Sequence, residues 1–342
     1  MRWVLHIDLD QFIAAVEVLR HPDLQGKPVV VGGDGDPTKR GVVSTASYEA
    51  RAFGVHSGLP LRTALKRCPE AVFLPVDKDA YEDASADVMA TLRTFTSTVE
   101  VLGWDEAFLE AHTDDPEELA GRIQAEVLAR SRLMCSIGIG ENPLQAKLAT
   151  GFAKPAGIYR LTSASWFEVL GDRSPDALWG IGAKTAKRLA GLGITTVREL
   201  AGTDPAELGG KVGPTLGPWY VRLARGIDRS AVRTAPYLAR SRSRETTFQQ
   251  NLQDWDQVRA EVARLAEQVA GDVAAEQRPV LRVVVKVRYA PFFTTTHGQP
   301  LAEPTSDPAR LVAAALELVE RFQSGRPVRL LGVRADLVPP AT

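Results

Sequence analysis

The sequence has few cysteines and no long apolar stretch, and both features narrow the possible classes of protein. Cys68 and Cys135 are its only cysteines, which excludes a disulfide framework and a cysteine-rich zinc site and favours the reducing cytoplasm. No apolar run reaches the about 18 residues that a membrane span requires, so we expect no membrane partner. An acid, Asp8, interrupts the amino-terminal apolar run, which argues against a secretory signal peptide.

Charge is balanced over the whole chain but uneven along it. The formal net charge is −1, yet residues 180–244 carry 12 Lys and Arg against 4 Asp and Glu, while residues 1–179 carry 18 against 26. A basic block indicates a phosphate-binding module, and the acidic part suits a metal or catalytic region. The 342 residues, 44% hydrophobic and 24% charged, predict a globular protein of two or three domains.

Hydrophobic periodicity predicts strands alternating with helices, and some neighbouring strands form hairpins. The predicted strands of the first half are residues 4–9, 27–33, 41–44, 98–102, 107–111 and 134–140. The predicted helices there are residues 47–53, 116–132 and 146–152. Residues 174–230 contain short helical patterns broken by Gly and Pro, and residues 245–338 follow a β-α-β-β-α-β order. This order predicts an α+β multidomain fold with a mixed or antiparallel sheet.

Three carboxylates are candidates for metal binding. Asp8 ends the first predicted strand, and Asp105 and Glu106 occupy a turn that follows Gly103. Oxygen ligands from separate strands suit Mg²⁺, provided that the backbone bends so that Asp105 and Glu106 converge. Asp10 would share the strand face of Asp8, so spacing alone does not choose between them.

Five segments in order resemble the motifs of Y-family DNA polymerases, most closely the DNA polymerase IV (DinB-like) branch. They are residues 6–12 (HIDLDQF), 42–51 (VVSTASYEAR), 105–108 (DEAF), 147–157 (KLATGFAKPAG) and 180–182 (GIG). The resemblance implies a right-hand polymerase with palm, fingers, thumb and little finger. The expected domains are palm 1–11 and 75–165, fingers 12–74, thumb 166–232, a linker 233–244 and little finger 245–342.

The resemblance also implies the roles of the acidic residues. It assigns metal ligation to Asp8, the Leu9 carbonyl, Asp105 and Glu106, and leaves Asp10 as structural. The implied cofactors are two Mg²⁺ ions, with Mn²⁺ as an alternative.

A second group of residues is expected to bind the incoming nucleotide. Tyr48 and Arg51 are three positions apart and would share a helix face, with Thr45 beside the helix N-terminus, which is itself an anion site. A guanidinium and a phenol hydroxyl can both contact phosphate. The resemblance assigns these positions and Lys154 to the triphosphate, whereas Lys147 is predicted to be a surface or DNA-side charge.

A third group is expected to bind the DNA backbone. Gly180 and Gly182 would form a hairpin whose N–H groups face a phosphate, and Lys184 adds charge at the start of the next helix. This is a helix-hairpin-helix pattern, a grip on DNA that does not depend on sequence. Arg240, Arg242 and Arg244 alternate with serines and would lie on one face of a strand, which the resemblance places near the template strand.

The sequence departs from the family pattern in three places. The family usually has an aromatic residue after the position of Phe12, where it blocks a ribose 2′-hydroxyl, but this chain has Ile13. We therefore expect ribonucleotides to be accepted as well as deoxyribonucleotides. Trp104 stands where Ser is common and has no predicted role. No Gln-x-x-Leu-Phe-like peptide ends the chain, which argues against docking on a sliding clamp.

The sequence therefore predicts a translesion-type DNA polymerase without proofreading, working as a monomer on primer-template DNA with dNTPs and rNTPs. Two alternatives stay open at this point: a nucleotidyl cyclase-like palm enzyme and a catalytically inactive DNA-binding relative. The basic block argues against the cyclase, and the presence of Asp8, Asp105 and Glu106 argues against the inactive relative.

Overall fold

A computed structural model describes residues 1–235 and 237–340 of the chain. Pro236 in the predicted linker, and Ala341 and Thr342 in the predicted little finger, lie outside the described residues. The chain divides into two compact units. The first unit comprises Met1–Gly35, Ser44–Ser57 and Glu70–Pro236. The second unit comprises Asp36–Val43, Gly58–Pro69 and Tyr237–Thr342.

Strands and helices alternate along the chain, as the hydrophobic pattern predicts. The strands are β1 (Arg2–Leu9), β2 (Val29–Val31), β3 (Thr45–Ala46), β4 (Val72–Leu74), β5 (Val99–Val101), β6 (Glu106–His112), β7 (Cys135–Gly140), β8 (Ile158–Leu161), β9 (Ser241–Leu252), β10 (Val280–Tyr289), β11 (Phe293–Thr305) and β12 (Val328–Leu337). The helices are α1 (Phe12–Arg20), α2 (Tyr48–Arg51), α3 (Leu61–Arg67), α4 (Lys78–Leu92), α5 (Pro116–Ser131), α6 (Pro143–Ala153), α7 (Trp166–Leu170), α8 (Ala183–Ala190), α9 (Val197–Gly202), α10 (Pro205–Val212), α11 (Leu216–Ala224), α12 (Trp255–Glu276) and α13 (Pro308–Val319).

The main sheet of the first unit has β1 near its centre, in the order β5-β6-β1-β7-β8. β1 pairs antiparallel with both β6 and β7, and β8 runs parallel to β7. Because β1 is flanked on both sides, its apolar side chains Leu5, Ile7 and Leu9 are almost completely buried. The sheet is therefore mixed, as predicted.

Helix boundaries in the first unit follow recognisable capping signals. The side chain of Asp115 accepts a hydrogen bond from the Glu118 N–H and caps α5, as the sequence predicts. Asn142 caps α6 in the same way through the N–H of Gln145. These caps fix where the helices that cover the sheet begin.

Helices α7 to α11 of the first unit form a second apolar core together with Leu144 and Ala149 of α6 and Leu161 of β8. Trp166 is 1% exposed at its centre, and its indole N–H donates a hydrogen bond of 2.8 Å to the Ala224 carbonyl. The predicted hairpin with Gly180, Gly182 and Lys184 lies in this part of the first unit.

The second unit contains a four-stranded antiparallel sheet with the order β11-β10-β12-β9. Helices α12 and α13 cover one face, where Val283, Val285 and Val333 are buried. The β-α-β-β-α-β order predicted for this part of the chain is confirmed.

Three local predictions of secondary structure differ from the structure. Residues 41–44 do not form a strand, because the pairing with β2 begins only at Thr45. The helix predicted at residues 47–53 is the four-residue α2. The predicted linker ends at Arg240, because residues from Ser241 onward pair with β12.

Candidate active site

The predicted metal ligands meet at one end of the main sheet. Asp8 lies directly opposite Glu106 in the pairing of β1 with β6. The Leu9 N–H donates a hydrogen bond of 2.8 Å to the Asp105 carbonyl, which brings the turn before β6 against the end of β1. The antiparallel register therefore brings together the three acids that the sequence singled out.

The acids perturb one another's protonation. Burial raises the pKa of Asp105, and the negative charges of Asp8 and Glu106 raise it further. A hydrogen bond from His6 and the ammonium of Lys147 outweigh burial and lower the pKa of Glu106 to about 2. Asp105 is thus the acid whose charge is least compensated by the protein itself.

Two lysines lie against these carboxylates. The Lys154 ammonium donates a hydrogen bond of 2.5 Å to Asp8 Oδ1, and the Lys147 ammonium is paired with Glu106 Oε2. The prediction that Lys147 is a surface or DNA-side charge is wrong: its Nζ also lies 3.2 Å from His6 Nε2. The prediction failed because α6 packs on the sheet and turns Lys147 toward the acids.

His6 contacts Glu106 and Lys147, although the sequence analysis assigned it no role. It is fully buried, its Nδ1 lies 2.8 Å from Thr150 Oγ1, and its Nε2 lies 3.4 Å from Glu106 Oε2. Burial lowers the pKa of His6, which favours the neutral imidazole. The sequence signals were its place at the start of the motif HIDLDQF and its position two residues before Asp8, on the same strand face.

Helix α6 approaches β7 closely because β7 contains glycines. A Cβ at Gly138 would collide with the Ala146 carbonyl oxygen and the Thr150 N–H, and one at Gly140 would collide with the Ala146 N–H. The helix therefore rests on the strand backbone itself. This close approach lets Thr150 reach His6 and Lys147 reach Glu106.

Asp10 has a different set of partners from Asp8 and Glu106, which pair with lysines. Its carboxylate is 3% exposed and accepts hydrogen bonds from Tyr48 Oη at 2.9 Å, Ser136 Oγ at 2.9 Å and the Ala156 N–H at 2.7 Å. Asp10 thus joins α2, β7 and the loop that follows Lys154.

The predicted triphosphate residues lie around α2 and the end of α6. Thr45 lies in β3, and Ser47 caps α2 by accepting from the Ala50 N–H. Arg51 donates from Nε to the Ala46 carbonyl at 2.9 Å, and its guanidinium carbon lies 4.9 Å from the centre of the Tyr48 ring. A helix of one turn has a weak dipole, so side chains provide most of the positive character here.

Phe12 and Ile13 begin α1, directly after Gln11, which has a left-handed backbone with φ 45°. Phe12 is buried, whereas Ile13 is half-buried and packs against the core of the main sheet. Trp104 is also partly buried on this core, with its ring 6.2 Å from that of Tyr81. Trp104 therefore anchors the turn that carries Asp105.

The predicted hairpin residues lie at the surface between the 3₁₀ turn Pro175–Ala177 and α8. Gly180 has φ +99°, and a Cβ there would lie 2.9 Å from the Trp219 ring, so the site requires glycine. Gly182 is the N-cap of α8, and Lys184 is exposed in its first turn. The backbone and the charge are thus both accessible to an anion.

Two of the three predicted strand arginines are ion-paired inside the second unit. Arg242 binds Glu276 and Arg244 binds Asp272, both on α12. The two side chains therefore share a face, as predicted, but that face is on the side of α12. Arg240 lies just before β9 and is exposed.

A cationic cluster in the second unit escaped the sequence prediction. Arg329 has a lowered pKa through burial and through the charges of Arg40, Arg288 and Arg62. Its guanidinium carbon lies 4.6 Å from the centre of the Phe292 ring, and Phe292 is 65% exposed. The side-chain partners that the structure gives for three of these arginines are neutral oxygens: Arg40 donates to the Phe248 carbonyl and to Asn251 Oδ1, Arg62 to the Thr38 carbonyl, and Arg288 to Thr294 Oγ1. The residues are scattered in sequence, so no motif reveals them.

The described part of the chain contains neither a preformed metal cluster nor a membrane-spanning helix. No three His, Cys, Asp or Glu side chains there are arranged so that they would hold one metal ion as they stand. No helix there is long and apolar enough to cross a bilayer.

Family models match both parts of the chain. The model of the impB/mucB/samB family matches residues 7–151, and the model of the impB/mucB/samB family C-terminal domain matches residues 239–341.

Curated relatives cover almost the whole chain. DNA polymerase IV 2 of Mycobacterium tuberculosis (strain ATCC 25618 / H37Rv) is 51% identical over 340 residues, which is 98% of each protein. DNA polymerase IV of Methanoculleus marisnigri is 39% identical and covers 98% of this chain and 94% of its own.

Solved structures agree with these relatives. The Y-family DNA polymerase chimera Dbh-Dpo4(243-245)-Dbh has a TM-score of 0.88 at 26% identity, covering 98% of both chains. An insertion ternary complex of Dbh DNA polymerase has a TM-score of 0.66 at 26% identity and covers 98% of this chain and 99% of its own.

Proposed function

The chain belongs to the impB/mucB/samB family and is a Y-family DNA polymerase of the DNA polymerase IV branch, and we propose that Asp8, Asp105 and Glu106 hold the divalent cations for its reaction. The fold is the α+β right-hand architecture of palm, fingers, thumb and little finger. The domain boundaries given above stay predictions. The relatives favour a polymerase over the nucleotidyl cyclase and the inactive relative.

One observation carries the metal proposal: three acids lie at the end of β1, where Asp8 faces Glu106 in the strand pairing and where burial, together with the charges of Asp8 and Glu106, raises the pKa of Asp105. Carboxylate oxygens suit Mg²⁺, and the Leu9 carbonyl at the same strand end would add a neutral oxygen. Asp8 and Glu106 are at present neutralised by lysines. The donor set therefore fits two Mg²⁺ or Mn²⁺ ions, which would take over this neutralisation.

The proposed reaction is attack of the primer 3′-hydroxyl on the α-phosphate of the incoming nucleotide, with pyrophosphate as the leaving group. Bound divalent cations would activate the attacking oxygen and stabilise the charge that develops on phosphate. The protein's own contribution is orientation: Lys147 and neutral His6 fix the Glu106 carboxylate from one side.

The triphosphate would be bound by Arg51, Tyr48, Thr45 and Lys154. Lys154 supports this proposal because its ammonium already lies at the acids and would be available for phosphate oxygens once cations neutralise Asp8. Arg51 supports it because a guanidinium can bind phosphate through two hydrogen bonds.

The protein would bind primer-template DNA through its phosphate backbone, independently of the base sequence. The hairpin of Gly180 and Gly182 offers backbone N–H groups, and Lys184 adds an exposed charge. Arg240, Arg242 and Arg244 stay candidates, although Arg242 and Arg244 must first exchange their carboxylate partners for phosphate. The cluster around Arg329 needs no such exchange.

Ile13 is proposed to admit ribonucleotides. A flat aromatic ring at this position would oppose a 2′-hydroxyl, whereas Ile13 carries its bulk near the backbone. Its half-buried position leaves part of the side chain accessible beside Phe12.

Primer extension with dNTPs tests the proposed chemistry. We expect extension in Mg²⁺ or Mn²⁺, none after chelation, and recovery when the cation is restored. Extension that survives chelation would contradict the metal assignment.

A further inference from the structure

Trp179 is a large apolar side chain that is partly exposed beside the hairpin of Gly180 and Gly182. It is 45% exposed, whereas Leu178 and Ile181 are buried in the core of helices α7 to α11. The Ile181 N–H donates a hydrogen bond of 3.0 Å to the Leu178 carbonyl and closes a four-residue turn. Trp179 and Gly180 are its central residues, and the positive φ of Gly180 is what a type II turn requires there. The turn therefore anchors the backbone of Trp179 and directs its side chain elsewhere.

The Trp179 ring contacts the strand that carries Glu106. Its centre lies 6.3 Å from the centre of the Phe108 ring on β6. Phe108 is two residues after Glu106, so the two side chains share a face of the main sheet. Phe108 also packs edge to face on His6, with the ring centres 4.9 Å apart. Aromatic contacts therefore run from the hairpin to His6, which itself lies 3.4 Å from Glu106.

The same indole ring lies against Lys147. The Lys147 ammonium nitrogen is 6.0 Å from the centre of the Trp179 ring, at the limit of cation–π contacts. The same ammonium is paired with Glu106. A lysine side chain has many rotamers, and the indole occupies part of the space that Lys147 would otherwise visit. Trp179 therefore limits the freedom of the ammonium that pairs with Glu106.

Filling an apolar core does not account for Trp179. Among the described residues, it belongs neither to the core of the main sheet nor to that of helices α7 to α11. A tryptophan that serves such a core is buried, as Trp166 is. Trp179 instead borders a cavity of about 550 Å³, which Gly180 and Trp219 also line. Its contacts with Phe108 and Lys147 are therefore the ones that a function must explain.

We propose that Trp179 is a positioning residue for the reaction, which holds the Lys147 ammonium beside Glu106. Its backbone belongs to the turn that includes Gly180, so the hairpin sets the orientation of the indole. The DNA grip and the Glu106 carboxylate are thereby connected through a single side chain. The proposal rests on the roles of Lys147 and of the hairpin proposed above.

Steady-state primer extension with one dNTP tests the proposal through Trp179→Leu and Trp179→Phe. We expect Trp179→Leu to lower kcat roughly two- to fivefold, the size of a cation–π contact at a partly exposed site. KM for the dNTP and the Kd for DNA, measured by fluorescence anisotropy, should change little. Trp179→Phe should keep most of kcat, because a phenyl ring also presents a π face. The matched control is Phe167→Leu, which removes the contact of Arg198 with the Phe167 ring at 5.5 Å and should leave kcat unchanged.

A double-mutant cycle with Lys147→Met shows whether Trp179 acts through the lysine. If it does, Trp179→Leu has no further effect on kcat in the Lys147→Met background. An equal effect in both backgrounds would overturn the proposal. A loss of DNA affinity with kcat unchanged would also overturn it, because Trp179 would then belong to the DNA grip alone. If Lys147→Met alone leaves kcat unchanged, the role of Lys147 is wrong and that of Trp179 falls with it.

Tryptophan fluorescence tests the contact without turnover, since a charge beside an indole shifts its emission. Lys147→Met should shift the emission of the natural protein, and the shift should be absent in the Trp179→Phe background. A shift that persists there would place the ammonium beside another tryptophan and would overturn the proposal. This measurement decides the question even if Lys147→Met is too slow to assay. Extension by the natural protein tests the proposed function separately: if it proceeds and Trp179→Leu leaves kcat unchanged, only the role of Trp179 is wrong.

Discussion

Lys154 donates a hydrogen bond of 2.5 Å to the carboxylate of Asp8, although 146 positions separate the two residues in the chain. Lys147 is paired with Glu106 in the same way. Asp105 forms no salt bridge among the described residues, and its pKa is raised. The site therefore has two acids whose charges are compensated by lysines and one acid, Asp105, without a lysine or arginine partner among the described residues.

This arrangement predicts the effect of removing an acid. Asp105→Ala or Glu106→Ala should reduce kcat for primer extension by about 10³-fold or more, because bound cations contribute several kcal/mol to transition-state stabilisation. DNA affinity should be little changed. Glu110→Ala is a matched control on the same strand, since Glu110 is also ion-paired, with Arg2. Normal extension by Asp105→Ala would exclude the assignment.

The hairpin predicts a salt-dependent contribution from Lys184. Lys184→Ala should remove one phosphate contact. It should therefore weaken binding to all DNA sequences and reduce the slope of log K against log salt by about 0.9. The control is Lys211→Ala, because Lys211 is also on a helix of this region but is paired with Glu207. Fluorescence anisotropy at several salt concentrations would measure both. Equal slopes for the two variants would argue against the hairpin grip.

The cluster around Arg329 predicts a second DNA contact. Arg329→Ala should weaken DNA binding, because its guanidinium has no carboxylate partner among the described residues and would gain one in phosphate. Arg259→Ala is the control in the same unit, since Arg259 is already paired with Glu320 and Asp256. The same titration measures both variants, and an equal loss of affinity would contradict the prediction.

The presence of Ile13 predicts weak discrimination between ribonucleotides and deoxyribonucleotides. Shape discrimination of one small group provides only about 1–3 kcal/mol, or roughly 10–200-fold, so kcat/KM for an rNTP should approach that for the dNTP. Ile13→Phe should lose most rNTP use and keep dNTP use. Rejection of rNTPs by the natural protein beyond about 10³-fold, more than such a pocket supplies, would show that Ile13 is only a packing residue.

The capping box of α9 predicts a dependence of stability on pH. Hydrogen bonds from the N–H of Thr195 and the hydroxyl of the same residue, with that from the Thr196 N–H, lower the pKa of Glu199 in the folded protein. The charge of Glu199 therefore stabilises the fold above its ordinary pKa of 4.5, and this stabilisation is lost as the pH falls through the lower folded value.

Glu199→Gln should accordingly have a lower free energy of unfolding than the natural protein at pH 7, and the difference should shrink under acid. Denaturant unfolding at several pH values would measure it. A difference that does not change with pH would contradict the role of the charge.

The sequence predicts local features well and long-range contacts poorly. The pattern around Asp8 predicts β1, and Asp115 predicts the start of α5, because both signals lie within a few neighbouring residues. The prediction for Lys147 on α6 was wrong because its partner Glu106 lies on β6, 41 positions earlier in the chain. β9 begins inside the predicted linker 233–244, because pairing with β12 holds in a sheet the segment whose alternating arginines and serines are compatible with a strand.

The close approach of α6 to β7 has a consequence for how the end of the sheet that carries Asp8 and Glu106 tolerates substitution. At Gly138 and Gly140 backbone touches backbone, so no side chain between them can repack to absorb a shift. The separation of helix and strand is a fixed dimension, and it sets how far the Lys147 ammonium reaches beyond the sheet. Elsewhere in the interior, neighbouring side chains can repack around a substitution. Here, any side chain at Gly138 or Gly140 would push α6 away from β7 and move Lys147 away from Glu106.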